Sequence, residues 1–444
     1  MDSRVMVDAM PLTRPLPEPL FPRLRSGRGL APEKATAHRR ARLLGAMVEA
    51  VRRHGYAETT IAELAGLAGV SKSAFYESFE SKQQCFLATF EEIVAQASGR
   101  IGVAYRSRRG FRERLRAAME EFAEIVAEEP AASALVVVDS LSLGAAGVGP
   151  RERAVEAFEL MFRQSFAQAP ERGEVSALQV RAIVAGIRRV VYRCLREGRP
   201  EELRDQVEEL LDWALSYQRP EAVAAAPTPP GPRRAAKEDS GARPPGWEEP
   251  PDSARSRSEL SQRERIVRAA ALVAADRGYE ALTIPAISGA AGVSNATFYE
   301  HFSSKEEAFV AAFDALAKQA LRATAAAAAG REDWGEAVGA GMRGLLEFTA
   351  ANRLFARLAF FELPTAGANA LDRADATTKR FTAFLAPAAL PAEIEAPPAV
   401  VVEAIGGGIW AVIQHEIAHG REASLAEIAS EITWIALAPL GVGK

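Results

Sequence analysis

Ala68–Phe79 reads AGVSKSAFYESF, and Ala291–Phe302 reads AGVSNATFYEHF. The two stretches lie 223 residues apart, and that offset holds without a gap from residues 60–90 to 283–313, where about half of the positions are identical. An ungapped repeat of this length marks an internal duplication. Within each stretch Gly69 or Gly292 supplies the left-handed residue that a tight turn between helices needs. Val70 or Val293 can plug the angle, and Ser71 or Ser294 can cap the next helix.

Working outward, Leu43, Leu44, Met47, Val48 and Val51 recur at helical spacing and predict a helix over about 37–54, with Arg39, Arg40 and Arg42 at its start. Thr60-x-x-Glu63 reads as a capping box opening a short second helix. The third helix runs from Lys72 to about Glu77. Ser81-x-x-Gln84 starts a fourth, striped by Phe86, Leu87, Phe90, Ile93 and Val94. The pair of short helices around the glycine turn is a helix-turn-helix, whose second helix enters a DNA major groove. Further helices are expected near 110–129, 131–144, 150–168, 174–197 and 200–217. No window alternates at period two for long enough to argue a sheet. The fold class expected is all-α, in two tandem units.

The tails repeat as well. Gly186–Leu203, GIRRVVYRCLREGRPEEL, parallels Gly408–Leu425, GIWAVIQHEIAHGREASL. An amphipathic helix follows each, striped by Leu203, Val207, Leu210 and Leu211 or by Leu425, Ile428, Ile432 and Ile435. Between heads and tails the copies diverge.

Of 444 residues, 48% are hydrophobic and 25% charged, as in a soluble globular protein, and the net charge of −4 requires any basic face to be local. Cys85 and Cys194 read as buried free thiols of a reducing compartment. Asp139 interrupts the nearest approach to a membrane-spanning run. The start, Met-Asp-Ser-Arg and then Pro-rich, is unlike a secretory signal, so a cytoplasmic location without membrane contact is expected. The expected boundaries are a disordered tail (1–33), a first helix-turn-helix domain (34–82), a first helical body (83–217), a Pro/Gly-rich linker (218–255), a second helix-turn-helix domain (256–305) and a second body (306–440).

The pattern T-I-x-x-L/I-x-x-x-A-G-V-S-x-x-x-F-Y-x-x-F-x-S-K after a helix resembles the N-terminal domain of TetR-family transcriptional regulators. The tail pattern resembles that family's dimerisation helices. The resemblance implies a three-helix DNA-binding head, a connecting helix and a body that binds a small effector. Carried over by residue, it places DNA contacts at Ser71, Lys72, Ser73, Tyr76 and Lys82 in the first copy. In the second they fall at Ser294, Asn295, Thr297, Tyr299, His301 and Lys305. Lys82 and Lys305 match a lysine that meets backbone phosphate. Ser78 departs from the usual histidine, and Asn295 from a common lysine, so the heads are expected to read different bases. Lysine suits guanine edges or phosphate, and asparagine suits adenine.

The resemblance implies an effector pocket. Its candidate residues are Phe158, Phe162 and Tyr192 in the first body and Phe355, Phe360 and Trp410 in the second, which is richer in aromatics. The effector is an unknown small molecule. Residues 415–419 read His-Glu-Ile-Ala-His, matching H-E-x-x-H, which on a helix presents two zinc ligands and a base. The first copy has Arg193-Cys194-Leu195-Arg196-Glu197 there, with no ligand pattern, so a solvated helix face is expected instead.

The expected function is a DNA-binding transcriptional regulator of the repressor type, released by its effector and reading an imperfect palindrome of double-stranded DNA. No enzymatic activity, cofactor or metal is expected. The alternatives are a small-molecule binding protein with DNA-inactive heads and, last, a zinc hydrolase at His415 and His419. Two heads on one chain suit an intrachain pseudo-dimer. A linker of roughly 35 residues spans about 30–35 Å and holds its ends at roughly millimolar effective concentration. The rival arrangement is a homodimer of chains with four heads.

Overall fold

A computed structural model describes residues 32–169, 174–217 and 260–441. Most of the expected tail and the whole 218–255 linker lie outside them. The described residues are helical, with no strand among them. They fall into two compact units. The first runs to Glu174 and resumes over Ile187–Ala214; the second comprises Val175–Gly186 and everything from Leu215.

In the first unit α1 (Pro32–Glu58), α2 (Ile61–Ala68) and α3 (Lys72–Tyr76) form the head, and α4 (Lys82–Arg106) leads into the body. Leu43, Met47, Leu64, Phe75, Phe79 and Phe86 are fully buried together. Body helices α5 (Phe111–Glu128), α6 (Pro130–Val137) and α7 (Val148–Phe166) follow. The helix expected over 131–144 ends early. After Val137 the chain tightens into a 3-10 stretch, Asp139–Gly147, where the Ser140 hydroxyl donates to the Val136 carbonyl (2.6 Å) and Gly144 takes φ 53°. A hydroxyl bonded back to the preceding turn competes with the helical ladder. Helix α8 (Ala177–Arg196) is divided, its residues through Gly186 belonging to the second unit. The helix expected over 200–217 is two, α9 (Glu202–Asp205) and α10 (Val207–Ser216). Cys85 and Cys194 are free and buried, and burial pushes the Cys85 thiol up to about 12.

The second unit repeats the plan: α11 (Gln262–Arg277), α12 (Ile284–Ala291), α13 (Asn295–His301) and α14 (Lys305–Ala328). Its body holds α15 (Trp334–Ala351), α16 (Arg353–Arg357), α17 (Ala368–Phe381), α18 (Ala399–Ala418) and α19 (Ala429–Leu437). Directly after α16 the chain widens into a π-helical turn, Leu358–Glu362. By length and hydropathy α18 could cross a membrane, but 61% of it is buried inside the protein, as befits a core helix.

Candidate nucleic-acid interface

Both heads are built by the same devices. Thr60 and Thr283 cap the second helix, accepting from the backbone N–H of Glu63 (3.2 Å) and Ala286 (3.3 Å). The capping box predicted at Thr60 is half formed, because the Glu63 carboxylate turns to His54 Nε2 (2.9 Å). Gly69 (φ 60°, ψ 40°) and Gly292 (φ 64°, ψ 42°) make the left-handed turn. Ser71 and Ser294 then cap the recognition helices, accepting from the N–H of Ala74 (3.1 Å) and Thr297 (3.0 Å). Phe75 and Phe298 anchor those helices from below, each edge-on to the following tyrosine at 5.6 and 5.7 Å.

The outward faces differ. In the first head Lys72, Ser73 and Tyr76 are exposed, Tyr76 at 56%. In the second Asn295 and Tyr299 are exposed, Tyr299 at 60%. Such exposure places both tyrosines outside the core. Thr297 turns its hydroxyl onto Ser294 Oγ (3.0 Å), and His301 Nε2 lies 3.4 Å from Gln262 Oε1. The first recognition helix is two residues shorter, 5 against 7, and just past its end Ser78 donates its hydroxyl to the Ala74 carbonyl (3.3 Å).

Lys82 and Lys305 occupy a more structural position than the resemblance implied. The Lys82 ammonium donates to the carbonyls of Tyr56 (2.9 Å) and Ala57 (3.1 Å) and lies 4.3 Å over the Tyr56 ring. Burial lowers its pKa. Lys305 repeats this on the Tyr279 carbonyl (3.3 Å) and ring (4.6 Å). These lysines pin the fourth helix to the end of the first. The sequence placed Arg40 at the start of the first helix but not its partner, nor its counterpart Arg263: Arg40 lies 4.6 Å over the Phe79 ring and Arg263 5.0 Å over Phe302. Their spacing from the phenylalanines is regular in both copies and was available as a signal.

Of the pocket candidates, Phe355, Phe360 and Trp410 line one cavity in the second body, with Met342, Phe381 and Gly406 among the other walls. It holds about 30 Å³ of water-accessible space, room for a few waters at most at ~10–15 Å³ each. Phe360 stacks on Trp410 at 4.2 Å. In the first body Phe158 packs on Phe122 (5.8 Å) and Phe162 on Phe166 (6.0 Å), while the Tyr192 hydroxyl accepts from Arg196 (3.1 Å).

The HEIAH segment closes α18 and is not the solvated face expected. Glu416 is buried, and its two oxygens accept from Arg421 at 2.7 Å each, which holds its carboxyl below the usual range. A carboxylate so paired is a poor general base. His415 Nδ1 accepts from Arg181 (2.7 Å), and burial beside that cation pushes the imidazole down to about 4. His419 Nδ1 donates to the His415 carbonyl (2.8 Å).

Two heads of one geometry and two surfaces define a tandem helix-turn-helix DNA-binding protein. The profile of bacterial regulatory proteins, tetR family, matches residues 43–89 and again 266–312. The chain carries two TetR-family DNA-binding domains in tandem. It is 36% identical over 88 residues to the HTH-type transcriptional activator FasR of Mycolicibacterium smegmatis, a match spanning 20% of this chain and 40% of that relative. Among solved structures it is similar to the transcriptional regulator FadR from Bacillus subtilis in complex with stearoyl-CoA (16% identity, 39% of this chain, 96% of that one, TM-score 0.37). It is also similar to the TetR-family regulator PfmR from Thermus thermophilus (22% identity, 38% of this chain, 97% of that one, TM-score 0.30).

Proposed function

We propose that the chain is an effector-responsive regulator whose two non-identical heads read the two halves of an imperfect palindrome. The observation that carries this is the pairing of one scaffold with two surfaces. Gly69/Gly292 and Ser71/Ser294 take the same backbone conformations and Phe75/Phe298 are both buried, whereas Lys72/Asn295 and Ser73/Ala296 differ on the exposed face. Acting on DNA places the chain in the cytoplasm. It is read as a repressor that its effector releases; the relative FasR is named an activator.

Tyr299→Ala is expected to weaken binding to all duplexes by a similar factor, since a phosphate contact carries no sequence information. Asn295→Ala is expected to relax base preference at one position by about 1–3 kcal/mol. Anisotropy titrations on matched and single-base-altered duplexes read both; if neither variant changes binding, the second head takes no part.

We further propose that the copies pair within one chain through their tails. Support comes from inside the second unit, where Val175–Gly186 packs with α18 and α19. Arg181 bonds His415, Ser176 bonds Glu431, and the buried Tyr217 hydroxyl donates to the Ile435 carbonyl (2.8 Å). Light scattering is expected to return one chain's mass, 47.6 kDa. About twice that would establish a dimer of chains instead.

The effector site proposed is the Phe355/Phe360/Trp410 cavity. Its lining is apolar but for Thr378 and Thr382, whose hydroxyls are spent on Ala374 and Thr378 carbonyls. It therefore suits an apolar or aromatic molecule and must widen to admit one.

A further inference from the structure

In the second unit one short segment touches both the cavity and the head. The π-helical turn Leu358–Glu362 carries Phe360 on the cavity wall. Two residues on, Glu362 is buried, and its Oε2 accepts the backbone N–H of Tyr279 (2.8 Å), just past the end of α11. Its Oε1 accepts from Arg357 Nε (3.1 Å). The contact is close: a Cβ on Gly278, which has φ +82°, would lie 3.5 Å from Glu362 Oε2. Tyr279 in turn provides the carbonyl and ring that hold Lys305, the first residue of α14. At the other end the Phe360 carbonyl accepts from Gln414 Nε2 of α18 (2.6 Å).

We infer that Glu362 is a positioning residue that couples the Phe360/Trp410 cavity to the second DNA-binding head. The inference rests on the cavity being the effector site. An occupant that separates Phe360 from Trp410 moves the π-turn. A single π-turn is a local irregularity of the helical ladder, of the kind that recurs at functional sites. Glu362 moves with the turn, and a buried charge-assisted hydrogen bond is lost steeply with distance. The Gly278–Tyr279 corner then loosens, and with it the joint between α11 and α14 that fixes the recognition helix. At the same register, 223 residues earlier, the first copy has Asp139, one methylene shorter, opening a 3-10 stretch instead of closing a π-turn. The coupling belongs to the second head, leaving the first as a constant anchor on DNA.

Amide hydrogen exchange of the full chain tests this without any ligand. Glu362→Ala is expected to speed exchange over 278–282 at least tenfold, and Glu362→Gln, which keeps an acceptor, to restore part of the protection. Phe360→Ala on the cavity wall should speed the same amides while leaving 55–59 of the first head unchanged. Phe360→Leu, which preserves most of the volume, is read in the same way if the alanine variant unfolds. Unaltered exchange over 278–282 in the folded Phe360 variants, or equal change in both heads, overturns the coupling. The same proteins are titrated with duplexes selected by wild-type chain from a random pool. Wild type that binds no duplex defeats the DNA reading, while the exchange result still decides the coupling.

Discussion

Replacing Phe298 by alanine melts the second head and abolishes its DNA binding, at a cost of about 3–5 kcal/mol, the usual range for deleting a buried aromatic ring. Phe298 is fully buried and sits between Tyr299 (5.7 Å) and Phe302 (5.9 Å). The helices it joins, α12 and α13, are 8 and 7 residues long. Helices so short do not hold in water by propensity and depend on packing for their stability. The loss therefore approaches the whole stability available to such a head, since entire domains carry about 5–15 kcal/mol. The body retains its own core around Phe355, Leu346 and Ile405. Calorimetry should show a low-temperature transition split from the main one, with the first head unaffected. Phe75→Ala should do the same to the first head. A single unshifted transition would contradict this account of how the heads are built.

Gly408→Val has the second large effect. A Cβ at Gly408 would come 2.6 Å from the backbone oxygen of Ala182, an atom with no rotamer to yield. Overpacking of a close contact costs about 1–3 kcal/mol and more where backbone must move. The expected result is displacement of Val175–Gly186 from α18, a melting temperature lowered by several degrees, and an increase in mass as freed tails pair between chains. Gly406→Val is the comparison, because its nearest neighbour is a side-chain methyl of Thr382 at 2.8 Å, which can turn away. Equal, small effects at both sites would mean that the approach to Ala182 does not hold the tails.

The heads were legible because their determinants are local. Glycine turns, serine and threonine caps and the Phe-Tyr pair act within a few residues of themselves, and the duplication presents each twice. What could not be read depends on distant partners. Glu362 meets Tyr279 across 83 residues of sequence. Lys82 finds carbonyls 26 and 25 residues back, so a lysine assigned to phosphate also serves as a clamp. The π-turn at Leu358–Glu362 inserts one residue into an apolar run, and hydrophobic periodicity does not register that. The break of the 131–144 helix follows from the Ser140 hydroxyl and Gly144, ordinary residues in sequence. At HEIAH, by contrast, Arg421 stands five residues after Glu416, near enough that its pairing could have been anticipated.

The central claim is that two different heads on one chain read two different half-sites. Selection of bound duplexes from a random-sequence pool by the intact chain tests it most directly. One composite motif of two unequal halves is expected, centred about 34–36 Å apart along the duplex. Asn295→Ala should blur one half and Lys72→Ala the other. A symmetric palindrome, or a single half-site unchanged by either substitution, would contradict it.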